Sequence, residues 1–158
     1  MRPEVRAWVE GIVAEYKPES PVLEVGARNI NGSCRHLFPQ DGYIGLDLEA
    51  GNGVDVVADI TEPLRMFYYQ FGTILCLETL EHVTRPDRAL FHIYDCLRSG
   101  GLLIATWVFN FPIHNEPDYW RVTPAGFRFL LEDTSFTDIR IDTEGVGPVG
   151  VFAVARKP

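Results

Sequence analysis

The sequence predicts an α/β fold: a doubly wound, seven-stranded sheet, mostly parallel, ending in an antiparallel hairpin. Three observations predict it. Short apolar runs recur and end at glycine or an acidic residue, as in Val22-Leu23-Glu24-Val25-Gly26. Stretches with apolar residues at helical spacing lie among them. Gly145-Val146-Gly147-Pro148 joins the last two strands too closely for a crossover. Helix–strand alternation of this kind implies a parallel sheet covered on both faces. A chain of 158 residues fits one domain with one core.

The elements follow in order. Residues 3–16 put Val5, Trp8, Val9, Ile12, Val13 and Tyr16 at helical spacing, with Pro3 tolerated in the first turn. Pro18 and Pro21 close that helix. Residues 22–25 are a buried strand, and 33–38 suit a short helix. Residues 43–48 are a second strand with Asp47 at its end, Gly51-Asn52-Gly53 a turn, and 54–58 a third strand followed by Asp59. Thr61 can cap a helix running toward Tyr69. Residues 71–77 are a fourth strand. Residues 86–97 are helical through Ala89, Leu90, Ile93, Tyr94 and Leu97, and Ser99-Gly100-Gly101 ends that helix. Residues 102–108 are a fifth strand. Thr123 caps a further helix with Pro124 in its first position and Phe127, Leu130 and Leu131 on its apolar face. Residues 137–143 and 149–155 are the final strands.

Composition narrows the function. Hydrophobic residues make up 46% and charged residues 23%, a globular balance. No apolar run is long enough to span a bilayer, and Met1-Arg2-Pro3-Glu4-Val5-Arg6 does not read as a secretory signal. A cytoplasmic protein without membrane contact is expected. Cys34, Cys76 and Cys96 form no C-x-x-C pair, so buried thiols are expected rather than disulfides or a thiolate zinc site. The formal net charge of −8 disfavours a nucleic-acid partner, whose phosphates need clustered Lys and Arg.

In such sheets the ligand sits at the carboxyl ends of the strands, where strand order reverses. Gly26 lets the backbone approach a ligand there, and Glu24 can accept from nearby amides. A dinucleotide cradle would want G-x-G-x-x-G, but Arg28 stands at the second glycine position. Asp47, at the end of the next strand, can accept from both hydroxyls of an adenosine ribose. Asp59 can accept from an adenine amino group while Ile60 packs on the ring.

The segments V-L-E-V-G-A-R, Y-I-G-L-D-L, V-V-A-D-I, F-G-T-I-L-C-L-E-T-L-E-H-V and L-R-S-G-G-L-L-I-A-T resemble the successive motifs of class I S-adenosylmethionine-dependent methyltransferases. The likeness is greatest to the methyltransferase type 11 group, which holds the ubiquinone- and menaquinone-type enzymes. It implies a Rossmann-like sheet and one methyltransferase domain over 1–158, with 1–20 as N-terminal helix and connector and 109–124 as an acceptor-side loop. It implies S-adenosyl-L-methionine as cofactor, bordered by Glu24, Gly26, Ala27, Arg28, Asp47, Leu48, Asp59, Ile60 and Leu77. The family usually has E-x-G-x-G-x-G in the first loop; this chain has Arg28 and Ile30 at the later glycine positions.

The expected activity is methyl transfer to a small-molecule acceptor by in-line displacement, achieved mainly by positioning. The alternative is a weak or inactive S-adenosylmethionine-binding domain that serves as a partner subunit. An RNA methyltransferase is disfavoured by the acidic charge. The stretch from Val108 to Pro124 is long, aromatic and polar, and similar P-x-H…D-Y-W-R-x-T-P segments occur in related small-molecule methyltransferases. Tyr119 and Trp120 can face the cationic sulfonium, and Arg121 can meet an anionic acceptor or pair with Glu116 or Asp118. His114 or His82 can act as general base for a hydroxyl acceptor. No metal is expected. An alternative takes Glu78, Glu81, His82 and His114 as ligands to a divalent ion, since E-x-x-E-H resembles a metal-binding motif of quinone-ring O-methyltransferases and small-RNA 3′-terminal ribose methyltransferases. The plainer reading has Glu and His fixing the loop. Neither the acceptor nor the oligomeric state is written in the sequence.

Overall fold

A computed structural model describes residues 1–144 and 149–158. The expected connector 145–148 lies outside the described residues.

Helix α1 (Pro3–Tyr16) precedes strand β1 (Val22–Val25). Strands β2 (Tyr43–Asp47), β3 (Val56–Val57) and β4 (Phe71–Leu77) follow. Then come α2 (Pro86–Cys96), β5 (Leu97–Val108), α3 (Pro124–Asp133), β6 (Thr137–Thr143) and β7 (Gly150–Arg156). One seven-stranded sheet runs β3-β2-β1-β4-β5-β7-β6. The pairs β2–β3, β1–β2, β1–β4 and β4–β5 are parallel, and β7 runs antiparallel to both β5 and β6. Strand order reverses between β1 and β4, so the cleft between their ends is the expected ligand position.

The two-residue period of the strands divides the core. On one face Val5, Val9 and Ile12 of α1 pack on Val22, Leu75, Ile104, Phe152 and Val154. On the other, Leu23, Ile74, Leu103, Ala105 and Ala153 meet Ala89, Leu90 and Ile93 of α2 and Phe127 and Leu131 of α3. The three cysteines are buried free thiols. No helix among the described residues is long and apolar enough to cross a membrane.

Four sequence expectations need correction, all where strand meets connection. The five-fold helix–strand alternation gives way to three α-helices among the described residues. Residues 33–38 hold a single 3-10 turn, Arg35–Leu37. No helix follows Thr61: its amide and hydroxyl both donate to Asp59 Oδ1, at 2.8 and 2.7 Å, forming an Asx turn. Pro63 then turns Glu62 away from helical angles, and only the 3-10 turn Arg65–Phe67 follows. The third strand shortens to two residues because Asp55 Oδ2, rather than a neighbouring carbonyl, takes the Gly45 amide at 2.8 Å. Finally, α2 does not run on to Ser99-Gly100-Gly101. The backbone is already extended at Leu97, which is fully buried and pairs with Phe71, so those residues lie inside β5 with Gly100 at φ +76°.

The short crossovers bring the chain very close to β2. A Cβ on Gly45 would overlap the Gly53 carbonyl oxygen and come within 2.9 Å of Ala27 Cβ. Gly45→Ala is therefore expected to cost about 1–3 kcal/mol of stability by overpacking, read as a lower urea midpoint with an unchanged m-value.

Candidate active site

A cleft of about 700 Å³ opens over the carboxyl ends of β1, β2 and β4. Glu24, Gly26, Ala27, Arg28, Asp47, Leu48, Asp59, Ile60 and Leu77 all line it, as do His82, His114 and Tyr119. The first loop is fixed by backbone bonds: the amides of Gly26 and Ala27 both donate to the Leu46 carbonyl, at 2.9 and 3.0 Å. Gly26 sits at φ +80°, and a Cβ there would overlap the Thr79 side chain. Only glycine suits both constraints. Arg28 pairs with Glu49 and Ile30 is exposed, and all three residues line the cleft.

The carboxylates differ in their surroundings. Glu24 is buried and accepts from Tyr43 Oη at 2.8 Å, and its burial raises its pKa. Asp47 ties two loops together, accepting the Arg28 amide at 3.0 Å and the Glu49 amide at 3.1 Å. An ionised carboxylate has about four lone-pair sites, so both oxygens keep capacity for a ligand. Asp59 spends one oxygen on Thr61.

At the end of β4 the backbone turns sharply at Glu78, φ +47°. Glu78 accepts from Arg2 Nε at 2.5 Å, and Arg2 Nη1 reaches Glu144 at 2.6 Å. The Arg2 guanidinium also lies over the Phe111 ring, 5.4 Å from its centroid. Sequence reasoning missed Arg2, a lining residue, because its partners are far along the chain.

The loop between β5 and α3 is built around Asp118, whose side chain is wholly buried. Asp118 accepts from Arg121 at 2.6 and 2.8 Å and from the His114 amide at 2.8 Å. The Arg121 guanidinium holds the Asp118 carboxyl well below the usual carboxylate range. Arg121 also donates to the carbonyls of Phe111, Pro112 and Trp120. Trp120 Nε1 donates to the Val83 carbonyl at 2.9 Å. Arg121 and Trp120 lie outside the cleft lining and tie the loop down. That loop carries His114 to His82, with ring centroids 5.1 Å apart. Beneath them Glu81 is fully buried, and neither of its carboxylate oxygens has a hydrogen-bond partner among the described residues. Burial pushes its pKa up to about 8.

Residues 33–105 match the family described as Methyltransferase domain. No curated protein matches the chain. Among solved structures, the CurJ carbon methyltransferase superposes with a TM-score of 0.74 at 17% identity, covering 96% of this chain and 53% of that one. This chain therefore spans about half of that protein's length. The Burkholderia thailandensis 1,6-didemethyltoxoflavin-N1-methyltransferase, solved with 1,6-didemethyltoxoflavin and S-adenosylhomocysteine, gives 0.72 at 18% identity, covering 97% and 78%. A SAM-dependent methyltransferase from Archaeoglobus fulgidus gives 0.69 at 17% identity, covering 96% and 94%. With its seven-stranded sheet and reversed final strand, the chain has the class I methyltransferase fold, and its residues 33–105 match the methyltransferase-domain family.

Proposed function

We propose that the chain transfers a methyl group from S-adenosylmethionine to a small-molecule acceptor. The observation that carries this reading is the set of carboxylates Glu24, Asp47 and Asp59 around one cleft beside Gly26. Three acids suit a ligand with a cationic end and free hydroxyls, and they repel a pyrophosphate. Asp47 would hold the ribose hydroxyls, Asp59 and Ile60 the adenine, and Glu24 and Gly26 the amino-acid end, with Ala27, Arg28, Leu48 and Leu77 as the surrounding wall. When bound, the cofactor supplies an electrophilic methyl group on its sulfonium.

The chain's own part is placement. Holding an acceptor in line corresponds to roughly 7–11 kcal/mol in well-oriented systems. Tyr119 lines the same cleft and offers an aromatic face to a sulfonium, a contact worth about 0.5–2 kcal/mol. His114 and His82, which line the same cleft, are the candidate bases for a hydroxyl acceptor. The net charge of −8 supports a small molecule rather than a nucleic acid, and a cytoplasmic setting belongs to this reading. Arg28 and Ile30 in the first loop favour a second reading, a weakly active cofactor-binding subunit.

Calorimetry with S-adenosylmethionine and S-adenosylhomocysteine tests both. Saturable binding of each is expected; no heat at millimolar ligand sinks both readings. Release of S-adenosylhomocysteine across a panel of hydroxylated and aminated acceptors then separates enzyme from subunit.

A further inference from the structure

We propose that Glu81, His82 and His114 form a binding site for one zinc-type divalent ion at the acceptor end of the cleft. Each of the three offers a ligand atom within 4.8 Å of the other two. The surroundings suit a metal. His82 Nδ1 donates to the Pro117 carbonyl at 2.7 Å. His114 Nδ1 has only acceptors beside it, Asp118 Oδ2 at 3.1 Å and the Pro112 carbonyl at 3.3 Å. A carbonyl or carboxylate oxygen requires the ring N–H. The tautomer these acceptors select leaves the lone pair on Nε2 of each ring, and a carboxylate or carbonyl behind the other nitrogen is the usual support of a metal-binding imidazole.

Glu81 adds an independent observation. A carboxylate that is 0% exposed with both oxygens unpartnered among the described residues costs folding energy unless something binds it. The Tyr119 amide holds the Glu81 carbonyl at 2.7 Å, so the buried position is built by the same loop that carries His114. Glu78 is not in the cluster, and its carboxylate pairs with Arg2.

Two imidazoles and one carboxylate favour Zn²⁺, Co²⁺ or Ni²⁺ over Mg²⁺ or Ca²⁺, which prefer all-oxygen shells. Three protein ligands leave a tetrahedral position open. His82 and His114 line the cleft, so that position would open toward it. The implied substrate class, which rests on the methyl-transfer reading above, is a hydroxylated acceptor whose oxygen binds the ion and is made more acidic by it. In the transfer the acceptor oxygen would bond the methyl carbon as the C–S bond breaks with its electron pair left on sulfur, giving S-adenosylhomocysteine, and the hydroxyl proton would pass to solvent water, so that the two imidazoles serve as ligands in place of the base role.

The test needs no turnover. The full chain is stripped with chelator, then titrated with Zn²⁺ by calorimetry and with Co²⁺ by visible absorption. One equivalent should bind with micromolar affinity or tighter, with the absorption of a low-coordinate Co²⁺ site. His114→Asn and Glu81→Gln should each weaken binding at least tenfold and remove that absorption, while His36→Ala, at a histidine elsewhere, should change neither. Circular dichroism of the chelated variants checks folding; should Glu81→Gln not fold, His114→Asn and His82→Asn decide. Absence of saturable binding, or binding that survives these changes, overturns the site. Metal binding without any S-adenosylmethionine binding sinks the methyl-transfer reading and leaves the metal site standing, and the converse result does the reverse.

Discussion

Asp118→Ala should lower stability by about 3 kcal/mol at neutral pH. Its carboxylate is wholly buried and accepts two Arg121 nitrogens and the His114 amide. Removing one partner of a buried ion pair typically costs about 3–5 kcal/mol, because the other charge is left uncompensated. Arg121 keeps 25% side-chain exposure and its three carbonyl partners, which sets the effect at the low end. For a domain of this size that is a drop in Tm of about 6–12 °C. The pH dependence follows from the sign of the shift. Arg121 depresses the Asp118 carboxyl, so the pair stabilises the fold above the ordinary carboxylate range and loses that contribution as pH falls through the depressed value. Urea midpoints of the two proteins should lie furthest apart near neutrality and converge in acid. A gap unchanged at low pH would assign the loss to packing instead.

Asp47→Ala should weaken S-adenosylmethionine binding by roughly 10–100-fold. Hydrogen bonds to a charged group are worth about 1.5–3 kcal/mol each. The side chain also shapes the cleft, since its oxygens hold the amides of Arg28 and Glu49. Asp47→Asn, which keeps the size and one acceptor oxygen, should lose less. Calorimetric Kd values, measured with the Tm of each variant, separate lost contact from lost fold. Equal affinity in all three proteins would remove Asp47 from the ribose position.

The contrast between these two residues shows what local sequence carries. Asp47 was legible because a strand end is a local pattern: an apolar run, then an acid. The same holds for α1, whose apolar spacing set its limits at Pro3–Tyr16, and for Thr123, whose hydroxyl accepts the Gly126 amide at 3.0 Å as an N-cap should. The connections were less legible. Asp55 and Asp59 turn their side chains on nearby amides, and Pro63 breaks the next segment; those competitions depend on angles that periodicity does not encode. In the loop 109–123, Tyr119, Trp120 and Arg121 read alike in sequence. Only the folded loop turns Tyr119 into the cleft and the other two onto backbone carbonyls. Glu81 and His82 are chain neighbours, but their meeting with His114 is created by that loop.

Helix α1 precedes β1, yet several of its partners lie in β6 and β7. Trp8 donates to Asp142, Glu15 accepts from Arg140, and the Trp8 ring packs on Phe152 at 5.1 Å. Arg2, just ahead of α1, reaches Glu144. A nascent chain therefore carries an amphipathic helix whose apolar stripe cannot be fully covered until β6 and β7 have left the ribosome. Closing so long a loop is entropically unfavourable and slows folding. In the interval the exposed stripe is a liability for aggregation.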